Sequence, residues 1–160
     1  MRVLGWIMSI KKIVQAQYQS IVDRAVNQSE DWAIPQEGWI RTVRKALGMS
    51  GSQLARRLGR TRAAVSNMER AELSGSVSIK NMQQMAKAMN CRFVYAIIPE
   101  VSIENLIQNR AKEKAITIVA KANSHMALEA QALDKERIEF EVNRIKNIFI
   151  NDPSTDLWND

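Results

Sequence analysis

Apolar residues recur every three or four positions along most of the chain, which is the spacing of one face of an α-helix. The first such pattern of the central region starts after Gly38 and stops at Gly48, and its apolar positions are Ile40, Val43 and Leu47. Glycine is common at helix ends, so the pattern predicts one short helix between the two glycines.

Two further short helices are predicted between Ser50 and Arg70, and their inward-facing residues are Leu54, Ala55, Leu58, Val65 and Met68. Ser50 and Thr61 are suited to begin these helices, because a hydroxyl accepts a hydrogen bond from a free backbone N–H group. Gly59 stands at the end of the first, where glycine adopts the left-handed conformation without steric cost. Two short helices joined by such a turn predict a helix-turn-helix, with a small residue, Ala55, where the helices approach.

Another helix is predicted from Ser78 to Asn90, and we interpret its methionines as core residues. The following segment, Arg92–Ile98, is rich in β-branched and aromatic residues and precedes Pro99, so it predicts one short β-strand. A strand without a neighbour needs a partner for its backbone groups, and the same strand of a second copy supplies one about a two-fold axis. The sequence therefore predicts a homodimer, and the contacting residues are Phe93, Val94, Tyr95 and Ile97.

Both flanking regions are patterned as helices. The N-terminal helix is predicted from about Ser9 to Asn27, with a polar linker after it. Residues 102–150 contain neither proline nor glycine, have cap residues at Ser102 and Asp134, and end at Asp152-Pro153. They predict either a helical hairpin or one long bent helix.

This pattern divides the chain into three parts. An N-terminal helix and linker occupy residues 1–36, a helix-turn-helix domain with the strand occupies 37–99, and a C-terminal helical region with a tail occupies 100–160. The predicted fold class is mainly α.

The charge of the chain is concentrated in one block. The net charge is +6, yet residues 39–70 contain eight basic side chains and one acidic side chain, Glu69. A positive charge concentrated in so short a block favours a polyanionic partner such as nucleic acid. The alternative interpretation is that the block is only a basic face exposed to solvent. Because the basic residues lie on a predicted helix-turn-helix, we interpret the block as a DNA-binding surface.

Several function classes find no support in the sequence. The single cysteine, Cys91, excludes an intrachain disulfide and a cysteine-based zinc site, and no glycine-rich phosphate loop occurs. The only histidine, His125, has no cluster of potential catalytic partners around it. We therefore predict a protein that is not an enzyme and has no metal or cofactor. The apolar run near the N-terminus is too short to span a bilayer and lacks a cleavage site, which predicts a soluble, intracellular protein with no membrane partner.

The helix-turn-helix residues resemble a known pattern. Gln53-Leu54-Ala55, Gly59, Thr61, Val65-Ser66 and Glu69 are similar to the Xre/Cro family of helix-turn-helix repressors. The resemblance implies a lambda-repressor-like domain that binds palindromic double-stranded DNA as a dimer, in the bacterial cytoplasm and at the nucleoid. Gly51 stands where that family usually has a glutamine that clamps a phosphate, so the clamp would pass to Ser52, Gln53 or backbone N–H groups.

The same resemblance implies which residues touch DNA. The residues that would face the base edges are Arg62, Ala63, Ser66 and Asn67. The residues that would contact the backbone are Arg41, Arg44, Ser52, Gln53, Arg56, Arg60 and Thr61. Arg62 is alternatively a phosphate contact. Arg57 is counted with the arginines that touch phosphates, and it is the first of them that we expect to be merely solvated instead.

A longer resemblance covers nearly the whole chain. The matching segments are Gly38–Arg41, Ala46–Met49, Gln53–Ala55, Gly75–Val77, Cys91–Tyr95, Met126–Glu129 and Leu157-Trp158, and they are similar to the family called mobile mystery protein A. The resemblance implies a repressor that is the antitoxin partner of a Fic-domain protein. The inhibitory motif Ser/Thr-x-x-x-Glu-Gly/Asn does not occur in the sequence, so neutralisation would use another surface.

Two alternatives remain open at this point. The protein is alternatively a stand-alone Xre-type regulator whose C-terminal helices serve dimerisation or ligand sensing. The tail residues Leu157 and Trp158 either anchor a partner protein, as large apolar side chains do in interfaces, or fold back on the helices of their own chain.

Overall fold

A computed structural model describes residues 2–129, 131–152 and 156–159, with the side chains of residues 2–4, 8 and 9 left out. Within these ranges the chain is mainly helical. The helices are α1 (Arg2–Ser29), α2 (Trp39–Ala46), α3 (Gly51–Leu58), α4 (Arg62–Ser74), α5 (Ile79–Ala88), α6 (Ile103–Leu128) and α7 (Lys135–Asn151). In the described ranges, no helix combines the length and the apolar character that a membrane span requires.

The chain divides into two compact units. One comprises residues 29–96 and contains α2–α5, and the other comprises residues 1–28 and 97–160 and contains α1, α6 and α7. The three-part division drawn from the sequence stays a prediction.

Predicted cap residues begin three helices of the first unit, α3, α4 and α5. The Ser50 side chain accepts a hydrogen bond from the Gln53 N–H, and the Gln53 side chain accepts one from the Ser50 N–H, which is a complete capping box. Thr61 and Ser78 cap α4 and α5 in the same way through their hydroxyls. The predicted cap residues are thereby confirmed.

One core holds α2–α5 together. Its buried residues are Ile40, Leu54, Ala55, Val65, Met68, Met82, Met85 and Met89. The methionines of α4 and α5 are core residues, as predicted, because an unbranched side chain fills irregular gaps between short helices. Leu47 was predicted on the buried face of α2 but is half exposed, because it is the C-cap residue and lies beyond the last turn of the helix.

The predicted strand is not present in the structure. Residues 92–98 carry no regular secondary structure, and no β-strand occurs among the residues described. A strand is defined by backbone hydrogen bonds to a neighbour, and the described part of this single chain offers none to Val94, Tyr95 or Ile97. The mainly helical fold class is therefore confirmed, whereas the strand is unconfirmed in the single chain.

The second unit contains a helical hairpin. Ser102 caps α6 and Asp134 caps α7, as predicted, and residues between them break the helix, so the long bent helix is excluded. Ala111, Ala115 and Val119 of α6 are buried, and α6 packs against α7. The Lys114 ammonium lies 5.7 Å from the ring centroid of Phe149, which brings the last turns of α7 beside the first half of α6.

The helix α1 is longer than predicted. It begins at Arg2 rather than Ser9 and ends at Ser29. Most of its apolar side chains are exposed, among them Trp6, Ile10, Ile13 and Ile21. The sequence pattern placed the apolar positions at helical spacing, but the described residues do not bury them.

The tail folds back on α6 in its described residues. The Leu157 side chain is 8% exposed, and the Arg110 guanidinium donates to the Leu157 carbonyl oxygen at 3.0 Å. Lys114 donates to the carbonyl oxygens of Asp156 and Asn159. Leu157 is therefore an internal contact of this chain, whereas Trp158 next to it is 65% exposed. Pro153, predicted to end α7, lies outside the described residues.

Candidate nucleic-acid interface

The turn between α3 and α4 is set by Gly59. Its φ of 62° is left-handed, and the N–H of Arg60 donates to the carbonyl oxygen of Ala55 at 2.9 Å, which closes the end of α3. Ala55 is buried in the core beside this turn, so its small side chain permits the close approach of the two helices. Thr61 then begins α4, with its hydroxyl oxygen 3.1 Å from the Ala64 nitrogen. This geometry is that of a helix-turn-helix.

The start of α4 presents one polar face to solvent. Arg62, Ala63 and Asn67 are exposed and Ser66 is half-buried, whereas Val65 between them is buried. Positions 62, 63, 66 and 67 share one side of a helix, so the residues predicted to read bases are brought together. The Asn67 side-chain oxygen accepts a hydrogen bond from Arg70, which orients the Asn67 amide at this surface.

The starts of α3 and α4 are adjacent. A Cβ atom added to Gly51 would lie 3.9 Å from Arg62 Cγ. Ser52 and Gln53 are exposed beside this contact. Gln53 uses its side-chain oxygen in the capping box, which leaves its amide N–H groups as donors for an oxygen of a partner.

Three arginines of the block are free cations. The side chains of Arg56, Arg60 and Arg62 have no hydrogen-bond or ion-pair partner among the described residues, and all three residues are exposed. They lie at the end of α3, in the turn and at the start of α4. The unpaired positive charge of the 39–70 block is therefore concentrated around the helix-turn-helix, where a phosphate backbone would approach.

Arg44, a predicted phosphate contact, makes internal contacts with Glu69 and Met49. Its Nε atom is 2.8 Å from Glu69 Oε1, and the guanidinium also donates to the Met49 carbonyl oxygen at 3.0 Å. The side chains of Arg44 and Glu69 are 14% and 5% exposed. A buried carboxylate requires a counter-charge, so this arginine is held in the interior of the domain.

Arg41, another predicted phosphate contact, is also paired within the domain. It binds the second oxygen of Glu69 at 3.1 Å and lies 3.7 Å from Glu37. Arg57, expected to be solvated, instead donates to the Ala88 carbonyl oxygen and ties α3 to the end of α5. These side chains use their charge within the domain, which reduces the set of arginines available to DNA.

Glu37, which precedes the basic block of residues 39–70, forms ion pairs with Arg41 and Lys45 of that block. The hydrogen bond from Lys45, at 2.6 Å, lowers the pKa of the Glu37 carboxyl, and the charge of Arg41 lowers it further. Desolvation acts in the opposite direction and is the second-largest effect, but the hydrogen bond from Lys45 outweighs it. This carboxylate is solvent-exposed, so its pairing contributes little to stability.

The role of Glu72 was not predicted from the sequence pattern. Its carboxylate accepts hydrogen bonds from the N–H groups of Trp39 at 2.6 Å and Ile40 at 3.0 Å, and so caps α2 from α4. Gly38 precedes α2 and has no side chain that could do so. One feature of the sequence could have indicated this role. Glu69 and Glu72 follow Val65 and Met68 at helical spacing, which places both carboxylates on the inward-facing side of α4.

The residues predicted to form the dimer contact differ in their exposure. Phe93 packs against the core and stacks on Tyr95, with ring centroids 5.8 Å apart, whereas Val94, Tyr95 and Ile97 are exposed. His125 is exposed near the end of α6. The described residues contain no group of histidine, cysteine and carboxylate side chains that could hold a metal ion.

One part of the chain, the region that contains the helix-turn-helix, is similar to a known protein family. The family model described as Helix-turn-helix matches residues 40–95, which span α2–α5 and the segment after them. Searches of curated proteins and of solved structures found no match. The matched region and the α3–turn–α4 geometry make residues 40–95 a helix-turn-helix domain of the Xre type, the DNA-binding element of transcription regulators.

Proposed function

We propose that this protein is a sequence-specific transcriptional repressor that binds a palindromic operator as a homodimer. The observation that carries the proposal is the free cationic surface formed by Arg56, Arg60 and Arg62 around the start of α4. In this arrangement Arg62, Ala63, Ser66 and Asn67 read bases in the major groove, because the N-terminal residues of the second helix of the motif reach the base edges.

Phosphate binding is assigned to a smaller set of residues than the sequence implied. Arg56 and Arg60 neutralise phosphates, and Ser52, Gln53 and Thr61 add hydrogen bonds from the starts of α3 and α4. Arg41 contributes through the part of its guanidinium that Glu37 and Glu69 leave exposed. Arg44 is left out of the interface because its charge is used by buried Glu69.

Two single substitutions test base reading. After selection of an operator from a library of random duplexes, we expect Arg62→Ala to lose about 1–3 kcal/mol of discrimination at one base position per half-site. Arg56→Ala is the matched control, since it removes one charge next to the motif and should weaken all sequences alike. An Arg62→Ala variant that also weakened all sequences alike would assign Arg62 to a phosphate.

A second proposal concerns the rest of the chain. The resemblance to mobile mystery protein A outside residues 40–95 supports an antitoxin role toward a Fic-domain protein. The exposed Trp158, held in place by buried Leu157, offers an anchor for such a partner. A stand-alone regulator fits the helix-turn-helix domain equally well. The presence of a Fic-domain gene beside the coding sequence, followed by co-purification of both products, decides between the two.

A further inference from the structure

An apolar pocket lies within the helix-turn-helix unit, away from the proposed base-reading face. Its volume is about 300 Å³, and its walls come from the linker before α2, from α2, from α5 and from the segment after α5. Trp32, Trp39 and Phe93 supply aromatic surface, and Met82 and Met89 supply adaptable thioether side chains. Pockets that hold small molecules are concave, mostly apolar and at least of this size.

One charged side chain, that of Arg92, lines this pocket. Of the described residues that line it, only Arg92 is charged, and no acidic side chain is among them. Arg92 is exposed and has no hydrogen-bond or ion-pair partner among the described residues. A free guanidinium at an apolar cavity offers several N–H donors to a carboxylate or a sulfonate.

We propose that this pocket binds a small anionic amphiphile, with an aromatic or branched apolar body between Trp32, Trp39 and Met89 and one acidic head group on Arg92. The charge complementarity distinguishes this occupant from an apolar side chain of a second copy or of a partner protein. Such a side chain would fill the same walls but would leave Arg92 without a counter-charge.

A pair of fluorescent probes tests the chemistry on the full chain. 8-Anilinonaphthalene-1-sulfonate carries the acidic group, and N-phenyl-1-naphthylamine has the same rings without it. We expect one sulfonate probe to bind per chain, and Arg92→Gln to weaken it about tenfold, in keeping with a charge-assisted hydrogen bond, while binding of the neutral probe stays unchanged. Lys80→Gln removes an exposed charge of α5 that does not line the pocket and should change neither probe.

Cys91 provides an independent measurement of location. It is the only cysteine of the chain, it is exposed, and it lines the pocket. Saturating sulfonate probe should slow alkylation of Cys91 by iodoacetamide severalfold in the wild-type protein. This readout needs no variant, so it holds even if a substitution in the pocket impairs folding.

Four outcomes would overturn the proposal. Equal loss of both probes in Arg92→Gln, or no loss of either, would remove the head-group contact and indicate a purely apolar occupant. An unchanged alkylation rate of Cys91 at saturation would place the probe elsewhere. Ala86→Leu, which adds volume at a lining position of α5, should reduce binding of both probes, and full binding in that variant would also exclude this pocket.

Discussion

The guanidinium of Arg44 lies against the carboxylate of Glu69, with Nε 2.8 Å from Oε1, and both side chains are largely shielded from solvent. Arg41 binds the second oxygen of the same carboxylate, so Glu69 joins α2 to α4. Removing one member of a buried ion pair leaves the other charge without compensation. We expect Glu69→Gln to lower the free energy of unfolding, measured in urea, by about 3 kcal/mol.

Two variants serve as controls for this ion pair. Glu37→Gln removes an exposed carboxylate from the same cluster and should change stability little. The pKa of Glu37 is lowered in the folded protein, so its small contribution to the free energy of unfolding is present at pH values above the ordinary carboxyl pKa. This contribution is lost as the pH falls through the lowered pKa. The double variant Arg44→Met with Glu69→Leu should recover most of the loss, since it leaves no buried charge on either residue. Equal losses in Glu69→Gln and Glu37→Gln would contradict an interior role for Glu69.

The contact between Gly38 and Glu72 gives a second prediction. Gly38 has a φ of +79°, and a Cβ atom there would lie 2.8 Å from Glu72 Oε2. Gly38→Ala therefore combines a positive φ with displacement of the carboxylate that caps α2. Gly48→Ala is the control, because Gly48 also has a positive φ, of +63°, but has open space around it.

We expect both glycine variants to lose about 1–2 kcal/mol from the backbone conformation. Gly38→Ala should lose about 1 kcal/mol more, which is the usual contribution of a helix cap. Thermal unfolding monitored by circular dichroism measures the difference. If the two variants were equally stable, the Glu72 cap would contribute nothing.

The free arginines predict the salt dependence of DNA binding. Arg56→Gln and Arg60→Gln should each reduce the slope of log K against log[salt] by about 0.9, because one phosphate contact and its released counterion are lost. Fluorescence anisotropy with the selected operator measures the slope. Lys45→Gln is the control, since Lys45 binds Glu37 and should leave the slope unchanged. An unchanged slope in the double Arg56/Arg60 variant would place the phosphates elsewhere on the domain.

The segment Arg92–Ile98 predicts the oligomeric state. Val94, Tyr95 and Ile97 are exposed, and pairing with a second copy would cover them and satisfy their backbone groups. Val94→Pro removes a backbone donor and should produce monomers with much weaker operator binding, whereas Val94→Thr keeps the donor and should remain dimeric. Analytical ultracentrifugation distinguishes the species. A stable Val94→Pro dimer would move the interface to another surface, with the exposed apolar residues of α1 as the next candidate.

The two tail residues should have separate effects. Leu157 is buried and Trp158 is exposed, so Leu157→Ala should lower the free energy of unfolding by about 2 kcal/mol, at the low end for a buried leucine near the surface. Trp158→Ala should leave stability unchanged and weaken binding of a Fic-domain partner, measured by calorimetry. Full partner affinity in Trp158→Ala would exclude Trp158 as the anchor.

The sequence by itself determined the local structure of this protein. Ser50, Thr61, Ser78, Ser102 and Asp134 begin helices as predicted, and Gly59 closes α3 in the left-handed conformation. Each of these features depends on hydrogen bonds that span only a few residues, so residue type and spacing are sufficient to predict it. The concentration of positive charge in residues 39–70 was likewise a property of the sequence.

Only the tertiary structure decided which of those charges are free. Arg44 and Glu69 are 25 residues apart, Trp39 and Glu72 are 33 apart, and Arg57 reaches the end of α5. Periodicity shows which face of a helix is apolar, but it does not show which polar side chains of other helices meet that face. The packing of α2 and α3 against α4 and α5 assigns Arg41, Arg44 and Arg57 to internal contacts. It leaves Arg56, Arg60 and Arg62 exposed, and their side chains have no hydrogen-bond or ion-pair partner among the described residues.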